Sequence, residues 1–372
     1  MLGAEGPREY LVLMLNPAEL RSGGGIVGSV AVLRADDGAL AFGDQVAARS
    51  LPRYEEPVLT LAADELEVHS DQLGRVMQNV TMTPDFPRTA ALAAQMWRLA
   101  TGVTVDGVVA LDPVTLSYVL GATGGVPGAD GTTLTAEDVV ETLLLDAYVR
   151  YPDQDATDAF FAGAATSVFS AVTRGQGSPE AQVWALVRAA GEHRIALWSA
   201  DPAEQATLGT SALGGAFLSG PAGVDVDQAG VFLDDSTGTK LGYFLDQNVA
   251  VTCTDAGAVL TLDLTSRVPD PAGLPAYVSG EGFSTVAPGV LRTRITLYSP
   301  VGGTLGEIRS GDRVLGAARA PEAGREVAVL TETLEPGGRS TIEVAVSGGG
   351  APLGVWRTPG MTGSGQVAPV TC

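Results

Sequence analysis

The stretch from Tyr10 to Leu33 sets two nearly unbroken apolar runs, rich in β-branched residues, on either side of a short polar turn. Runs of that length without alternation belong to strands covered on both faces, as in the sheet of an α/β fold. The turn between them holds Asn16, Glu19, Arg21 and Ser22, followed by Gly23, Gly24 and Gly25. Glycines there let the backbone take positive φ and present its N–H groups. A polar loop at the carboxyl end of a buried strand is where open α/β sheets bind ligands. Asn16, Glu19, Arg21, Ser22, Gly24 and Gly25 are therefore candidate ligand-binding residues. Arg21 is the expected first contact for an anion, because a guanidinium beside a glycine-rich loop combines fixed charge with free N–H donors. The structural alternative carries equal weight: Arg21 and Glu19 pair with each other while the glycines close a tight turn.

The chain has 372 residues, 45% of them hydrophobic, which suits two domains with substantial cores. Its formal net charge of -21, from 43 acidic against 22 basic residues, would repel a phosphate backbone and argues against a nucleic-acid partner. Lys240 is the sole lysine. No run of eighteen apolar residues is present, so none of this sequence reads as a membrane span. The first residues lack the apolar core of a signal peptide, and the start reads as an ectodomain separated from an N-terminal membrane anchor. Cys253 and Cys372 are the only cysteines. One disulfide tying down the C-terminus is the simplest expectation and implies an oxidising compartment; two unpaired thiols are the alternative.

Along the chain, Asp37-Gly38 marks a hairpin turn, and residues 64–83 read as irregular. A helix is expected from Asp85-Phe86-Pro87 to Gly102, with Asp85 as N-cap, then a strand over Val103–Leu111 and a helix capped by Asp112-Pro113. Thr135 to Asp138 resembles a capping box opening a helix to Tyr148. Further helices are expected over 156–172 and from Ser178-Pro179 to Gly191, with a strand over 193–199. Beyond Asn248 only alternating strand runs appear, for example Val259–Leu264 and Thr341–Val346. The expected fold is thus an α/β sandwich with a mixed central sheet over residues 1–247, followed by an all-β immunoglobulin-like sandwich over 248–372.

The chemistry on offer is narrow. His69 and His193 are the only histidines and show no catalytic or metal spacing, so both read as surface or packing residues. GxxxxGK[ST] and a strand-following GxGxxG are absent, which removes the usual nucleotide signatures. Asp106 and the Asp153-Gln154-Asp155 turn have oxygens for a divalent cation, although turns and caps use the same residues. Arg21, Arg53, Arg88 and Arg150 lie at the edges of expected elements, where a guanidinium grips phosphate or carboxylate. Trp97, Trp184 and Trp198 read as core residues.

Residues Asn16 to Ser29 resemble an uncharacterised bacterial family with the signature Asn-x-x-Glu-Leu-Arg-x-x-Gly-Gly. Thr83 to Pro87, Val105 to Pro113 and Lys240 to Tyr243 resemble further pieces of it. That resemblance implies an actinobacterial or other Gram-positive envelope protein held behind one N-terminal membrane helix. More distantly, Leu51-Pro52-Arg53, Gly121 to Val126 and Tyr148-Val149-Arg150 resemble motifs of the LytR-CpsA-Psr family, which transfers glycopolymers from polyprenyl-pyrophosphate carriers onto peptidoglycan. Asn16 stands where that family has its first metal-binding aspartate, the Gly23 to Gly25 region stands where it has its second, and Tyr54 follows Arg53 where its motif has an aspartate. The resemblance implies an extracytoplasmic cell-envelope protein that binds a lipid-linked or phosphorylated glycopolymer and, in the fuller case, transfers it, with Mg²⁺ the cation such chemistry would use. Arg53 and Arg150 would converge with Arg21 on one anion site, and Arg88 is a further candidate ligand-binding residue. The other expectation is a non-catalytic binding or scaffolding ectodomain.

Overall fold

Strand β1 (Arg8–Asn16) is buried on both sides, which explains its apolar sequence without alternation. The computed structural model describes residues 3–151, 153–220, 228–254, 257–348, 353–361 and 366–370. β1 pairs antiparallel with β2 (Ile26–Asp36), which pairs in turn with β3 (Ala39–Phe42) and the short β4 (Val46–Ala47). On its other edge β1 runs parallel to β5 (Gly107–Leu111). Two short strands, β6 (Val126–Pro127) and β7 (Thr133–Leu134), make a separate hairpin, and β8 (Ile195–Ser199) closes the main sheet antiparallel to β5. The order β3-β2-β1-β5-β8 is a mixed sheet within a mixed α/β fold, as the sequence implies.

Alternate residues of β1 serve different layers. Leu11, Leu13 and Leu15 join one core with Ala90, Ala93 and Met96 of a long helix. Val12, Met14 and Asn16 face the opposite side. In chain order the helices are α1 (Ala63–His69), α2 (Phe86–Thr101), α3 (Pro113–Thr123), α4 (Val139–Glu141), α5 (Ala147–Arg150), α6 (Gln154–Thr173), α7 (Pro179–Gly191), α8 (Pro202–Leu208) and the single turn α9 (Ala276–Ser279). The stretch expected to be irregular therefore contains α1 and two tight 3₁₀ turns, Asp71–Gly74 and Met77–Met82. The helix expected to reach Tyr148 runs on to Arg150 without interruption, α4 and α5 being joined by a wider π turn over Thr142–Asp146. Asp138 accepts the Thr135 N–H at 2.7 Å, one half of the expected box. Asp112 and Ser178 cap α3 and α7. Asp85 does not cap α2; its carboxylate, buried and raised in pKa by that burial, accepts the Leu218 and Ser219 N–H groups. Trp184 is 64% exposed rather than in the core.

The rest of the chain is strand-rich: β9 (Gln228–Asp235), β10 (Leu245–Thr254), β11 (Gly257–Ser266), β12 (Leu291–Tyr298), β13 (Thr304–Ser310), β14 (Arg313–Val314), β15 (Ala318–Glu322), β16 (Arg325–Leu334), β17 (Arg339–Ser347), β18 (Leu353–Arg357) and β19 (Gln366–Val370). They form two sheets, β10-β11-β17-β13-β14 and β15-β16-β12-β9-β18-β19. Leu260, Leu262 and Val344 of one and Leu233, Ile295 and Val355 of the other share a core. β9, which precedes the boundary expected at 247/248, lies between β12 and β18 in that second sheet, and Leu20 packs into the same core. Cys253, on β10, is not a free thiol. Cys372, its expected partner, lies outside the described residues, so that pairing rests on the sequence.

Candidate functional site: an apolar cavity with a polar end

The second face of β1 does not meet a closed core. Between it and helices α3 and α6 lies a cavity of about 570 Å³, walled by side chains such as Val12, Met14, Leu116, Val119, Phe161 and Val168. That size and apolar character lie within the range of small-molecule sites. Phe42 of β3 stacks on Phe169 of α6 with centroids 5.2 Å apart, which seats α6 against the sheet edge. Arg49 reinforces the seam, donating to Asp155 at 2.7 Å and Asp158 at 2.8 Å.

One end of the cavity is polar, and Asn16, Glu19, Tyr148, Lys240 and Tyr277 line it. The turn after β1 fixes the first two. The Glu19 N–H donates to the Asn16 carbonyl and the Ile26 N–H to the Glu19 carbonyl, so the chain doubles back tightly. Gly25 is required there, because a Cβ would sit 2.5 Å from the Asn16 carbonyl. Asn16 Oδ1 accepts the Ala18 N–H, and its Nδ2 donates to the Tyr148 hydroxyl at 2.8 Å. Lys240, on the loop after β9, donates to Glu19 at 2.6 Å and lies 5.3 Å from the centre of the Tyr277 ring. Tyr148 continues the aromatic wall, with Tyr277 at 5.6 Å and Phe161 at 5.8 Å between centroids.

The electrostatics follow from that geometry. Burial raises the Glu19 pKa, but the neighbouring Lys240 and Arg21 charges outweigh it and hold the carboxyl below its ordinary value. Burial also disfavours the Lys240 ammonium, while Glu19, with help from the two tyrosines, holds its pKa above the usual lysine value. Burial pushes the Tyr148 hydroxyl up to about 12. At neutral pH the end of the cavity therefore presents an ammonium, a carboxylate paired to it and a protonated phenol.

The residues singled out from the sequence divide into two groups. Asn16 and Glu19 line the cavity. Arg21 does not: it donates to the Leu20 carbonyl at 2.8 Å, to Glu19 at 3.2 Å and to the Asp235 carbonyl at 3.3 Å, bracing the turn from behind. Ser22 donates through its N–H and Oγ to Asp234, both at 2.9 Å, and so ties the turn to β9. Gly24 takes φ 113° and, like Gly25, shapes the turn and does not line the cavity. Arg53 bonds Gln72 on the surface, Arg88 bonds Glu65 and the Thr60 carbonyl, and Arg150 pairs with Asp130 at 2.5 Å. None of these three lines the cavity, and the expected convergence of arginines is absent from it.

At the polar end, Lys240, Tyr148 and Tyr277 line the cavity without having been singled out as ligands from the sequence. Lys240 carried a signal, as the sole lysine and as part of a family-like segment; Tyr277 carried none. Both histidines, expected at the surface or in packing, are well covered. His69 bonds Glu322 at 3.1 Å inside a buried cluster with Tyr298, and His193 packs on Trp356. A divalent cation does not fit the polar end, since both Glu19 oxygens are held by cations and Asn16 Oδ1 by a backbone N–H. Among the described residues no group of three His, Cys, Asp or Glu could hold a metal. Asp106 accepts the Glu9 N–H, and Asp153 caps α6.

An α/β layer with a large apolar cavity, closed at one end by Lys240 and Tyr277 from connections between the following strands, is the class of protein these features define. Residues 5–148 match the family described as "Protein of unknown function (DUF4012)", a span that contains the Asn16–Ser29 motif and shows the resemblance to an uncharacterised family for that part of the chain. No curated protein matches the sequence. Similar solved structures include a LytR-Csp2A-Psr enzyme from Actinomyces oris, at 14% identity and TM-score 0.29 over 55% of this chain and 75% of that one. TagV of Bacillus subtilis is similar at 12% identity and TM-score 0.28 over 51% and 73%. The Lin1025 protein of Listeria innocua is similar at 11% identity and TM-score 0.32 over 51% and 72%.

Proposed function

We propose that this chain is an extracytoplasmic cell-envelope protein that binds a lipid-linked envelope glycan by its hydrocarbon chain. The observation that carries this reading is the cavity of about 570 Å³, lined mainly by apolar side chains and carrying a polar cluster beside Lys240. An amphiphile with one long chain matches both parts, because apolar burial holds the chain while the polar end fixes the head. No described helix is long and apolar enough to cross a membrane, so attachment to the bilayer would come from outside the described residues or through the bound lipid.

Binding without transfer is the form of this reading that the side chains favour. Phosphoryl transfer from a diphosphate needs several positive charges around the reacting oxygens. The two cations lining the cavity are both engaged, Lys240 by Glu19 and Arg49 by Asp155 and Asp158. Arg21 supports the turn in this account and makes no ligand contact.

Native mass spectrometry of the protein prepared from membranes under mild detergent is expected to show a co-purified amphiphile. Ala165→Trp, which places an indole in the cavity from α6, should remove it while leaving the circular dichroism unchanged. A ligand-free parent that also fails to bind prenyl or acyl chains would overturn the reading.

A further inference from the structure

Two donors at the polar end of the cavity remain unspent. The Lys240 ammonium has three hydrogens, of which one goes to Glu19. The Tyr148 oxygen accepts from Asn16, and no described acceptor takes its own proton. The phenol stays protonated through the physiological range, since burial raises its pKa to about 12. These hydrogens belong to two groups that line the same end of the same cavity, and Asn16 Nδ2 fixes the phenol in place.

What the donors lack is an acceptor, and what the cavity lacks is a second uncommitted cation. The Arg49 charge is balanced by two aspartates that its Nη2 contacts, and Asp112, a carboxylate at the cavity wall near α3, is paired with Arg194 at 2.9 Å. Lys240 already shares its charge with Glu19. A head with one negative charge and two free oxygens meets the ammonium and the phenol, each oxygen receiving a charge-assisted or strong neutral hydrogen bond. A diphosphate would bring additional negative charge into the same low-dielectric space with no cation to meet it. A plain alcohol would leave donors of the ammonium unsatisfied.

We propose that the Lys240–Tyr148 end of the cavity is a head-group site for a single phosphate diester carried on a long hydrocarbon chain, and that it discriminates against lipid diphosphates. This rests on the lipid-binding reading above and adds the charge state of the linkage. A prenyl phosphate joined to one sugar and a glycerophospholipid share this chemistry.

The test is calorimetric titration of the full chain with three probes of equal chain length: geranylgeranyl methyl phosphate, geranylgeranyl diphosphate and geranylgeraniol. The diester should bind about tenfold or more tightly than either of the others, the scale of a charge-assisted hydrogen bond. Lys240→Met should erase the preference for diester over alcohol. Because Lys240→Met strips Glu19 of a buried partner, Tyr148→Phe is the second variant, and it should narrow the preference for diester over alcohol several-fold. Equal or tighter diphosphate binding, or a diester preference untouched in both variants, overturns the head-group site while the lipid reading stands. Failure of all three probes to bind overturns both. Replacing the prenyl chain by a diacylglycerol on the same phosphate then separates the two sources of the diester.

Discussion

His193 sits at φ 55° in the turn between α7 and β8, its ring 3.9 Å from that of Trp356 on β18 and both ring nitrogens shielded without a hydrogen-bond partner. Burial lowers its pKa from 6.5 to about 4. Between those values the unfolded chain takes up a proton that the folded chain refuses, so this residue makes stability fall as pH drops from 6.5 toward 4. The full effect is about 3 kcal/mol, reached once pH lies below the folded value. Asn tolerates the left-handed backbone and does not titrate, so His193→Asn should flatten this part of the pH dependence. Urea midpoints of parent and variant from pH 7 to 4 read it directly, as a gap that changes by that amount. A gap independent of pH would show that folding does not shift the titration of this imidazole.

Helix caps were legible in the sequence because they are local, and they are not all equal in consequence. Ser178 accepts the Ala181 N–H at 3.3 Å at the exposed start of α7, and Ser178→Ala should cost about 1 kcal/mol. Asp112 accepts the Thr115 N–H at the start of α3 and also holds Arg194, whose guanidinium is buried and reaches the Gly360 carbonyl. Asp112→Ala should therefore cost about 2 to 4 kcal/mol, since it removes the cap together with one of the two carboxylates, Asp112 and Glu192, that face the buried Arg194 charge. Denaturant unfolding of the two variants gives the comparison, and equal losses would place Arg194 outside the ion pair. The same contrast explains what the sequence could and could not show. β1, β2, α6 and α7 announce themselves by runs, periods and punctuation within a few residues. The π turn at Thr142–Asp146 has no such signal, and Glu19 meets Lys240 across 221 residues, a pairing that no local pattern encodes. Asp85 shows the failure in the other direction: it stands where a cap belongs, yet tertiary packing gives its carboxylate to Leu218 and Ser219.

At the scale of the whole chain the question is whether the α/β layer and the β-sheets unfold separately. The domains expected from composition meet at 247/248, but β9 lies upstream of that point and supplies Val231 and Leu233 to the core of the β-sheets. Polar contacts cross between the layers in several places, and they are buried. Ser22 is held by Asp234 of β9, which is also 3.6 Å from Arg294 of β12. Glu322 of β15 accepts from Tyr298 and faces His69 of α1, and Gly360 caps Arg194 beside β8. Parting the layers would expose each of these groups with its partner gone, at a desolvation cost that small apolar interfaces do not carry. A cut at 247 would also leave β9 without β12 and β18, an unpaired and apolar edge. We therefore expect one cooperative calorimetric transition for the full chain and aggregation of the fragment 1–247. Asp234→Ala, which unties both Ser22 and Arg294, should lower that transition by about 3 kcal/mol or more of stability without dividing it. Two resolved transitions in the parent, or a soluble 1–247 fragment with a sharp melt of its own, would show instead that the layers are independent and that these buried contacts form after each has folded.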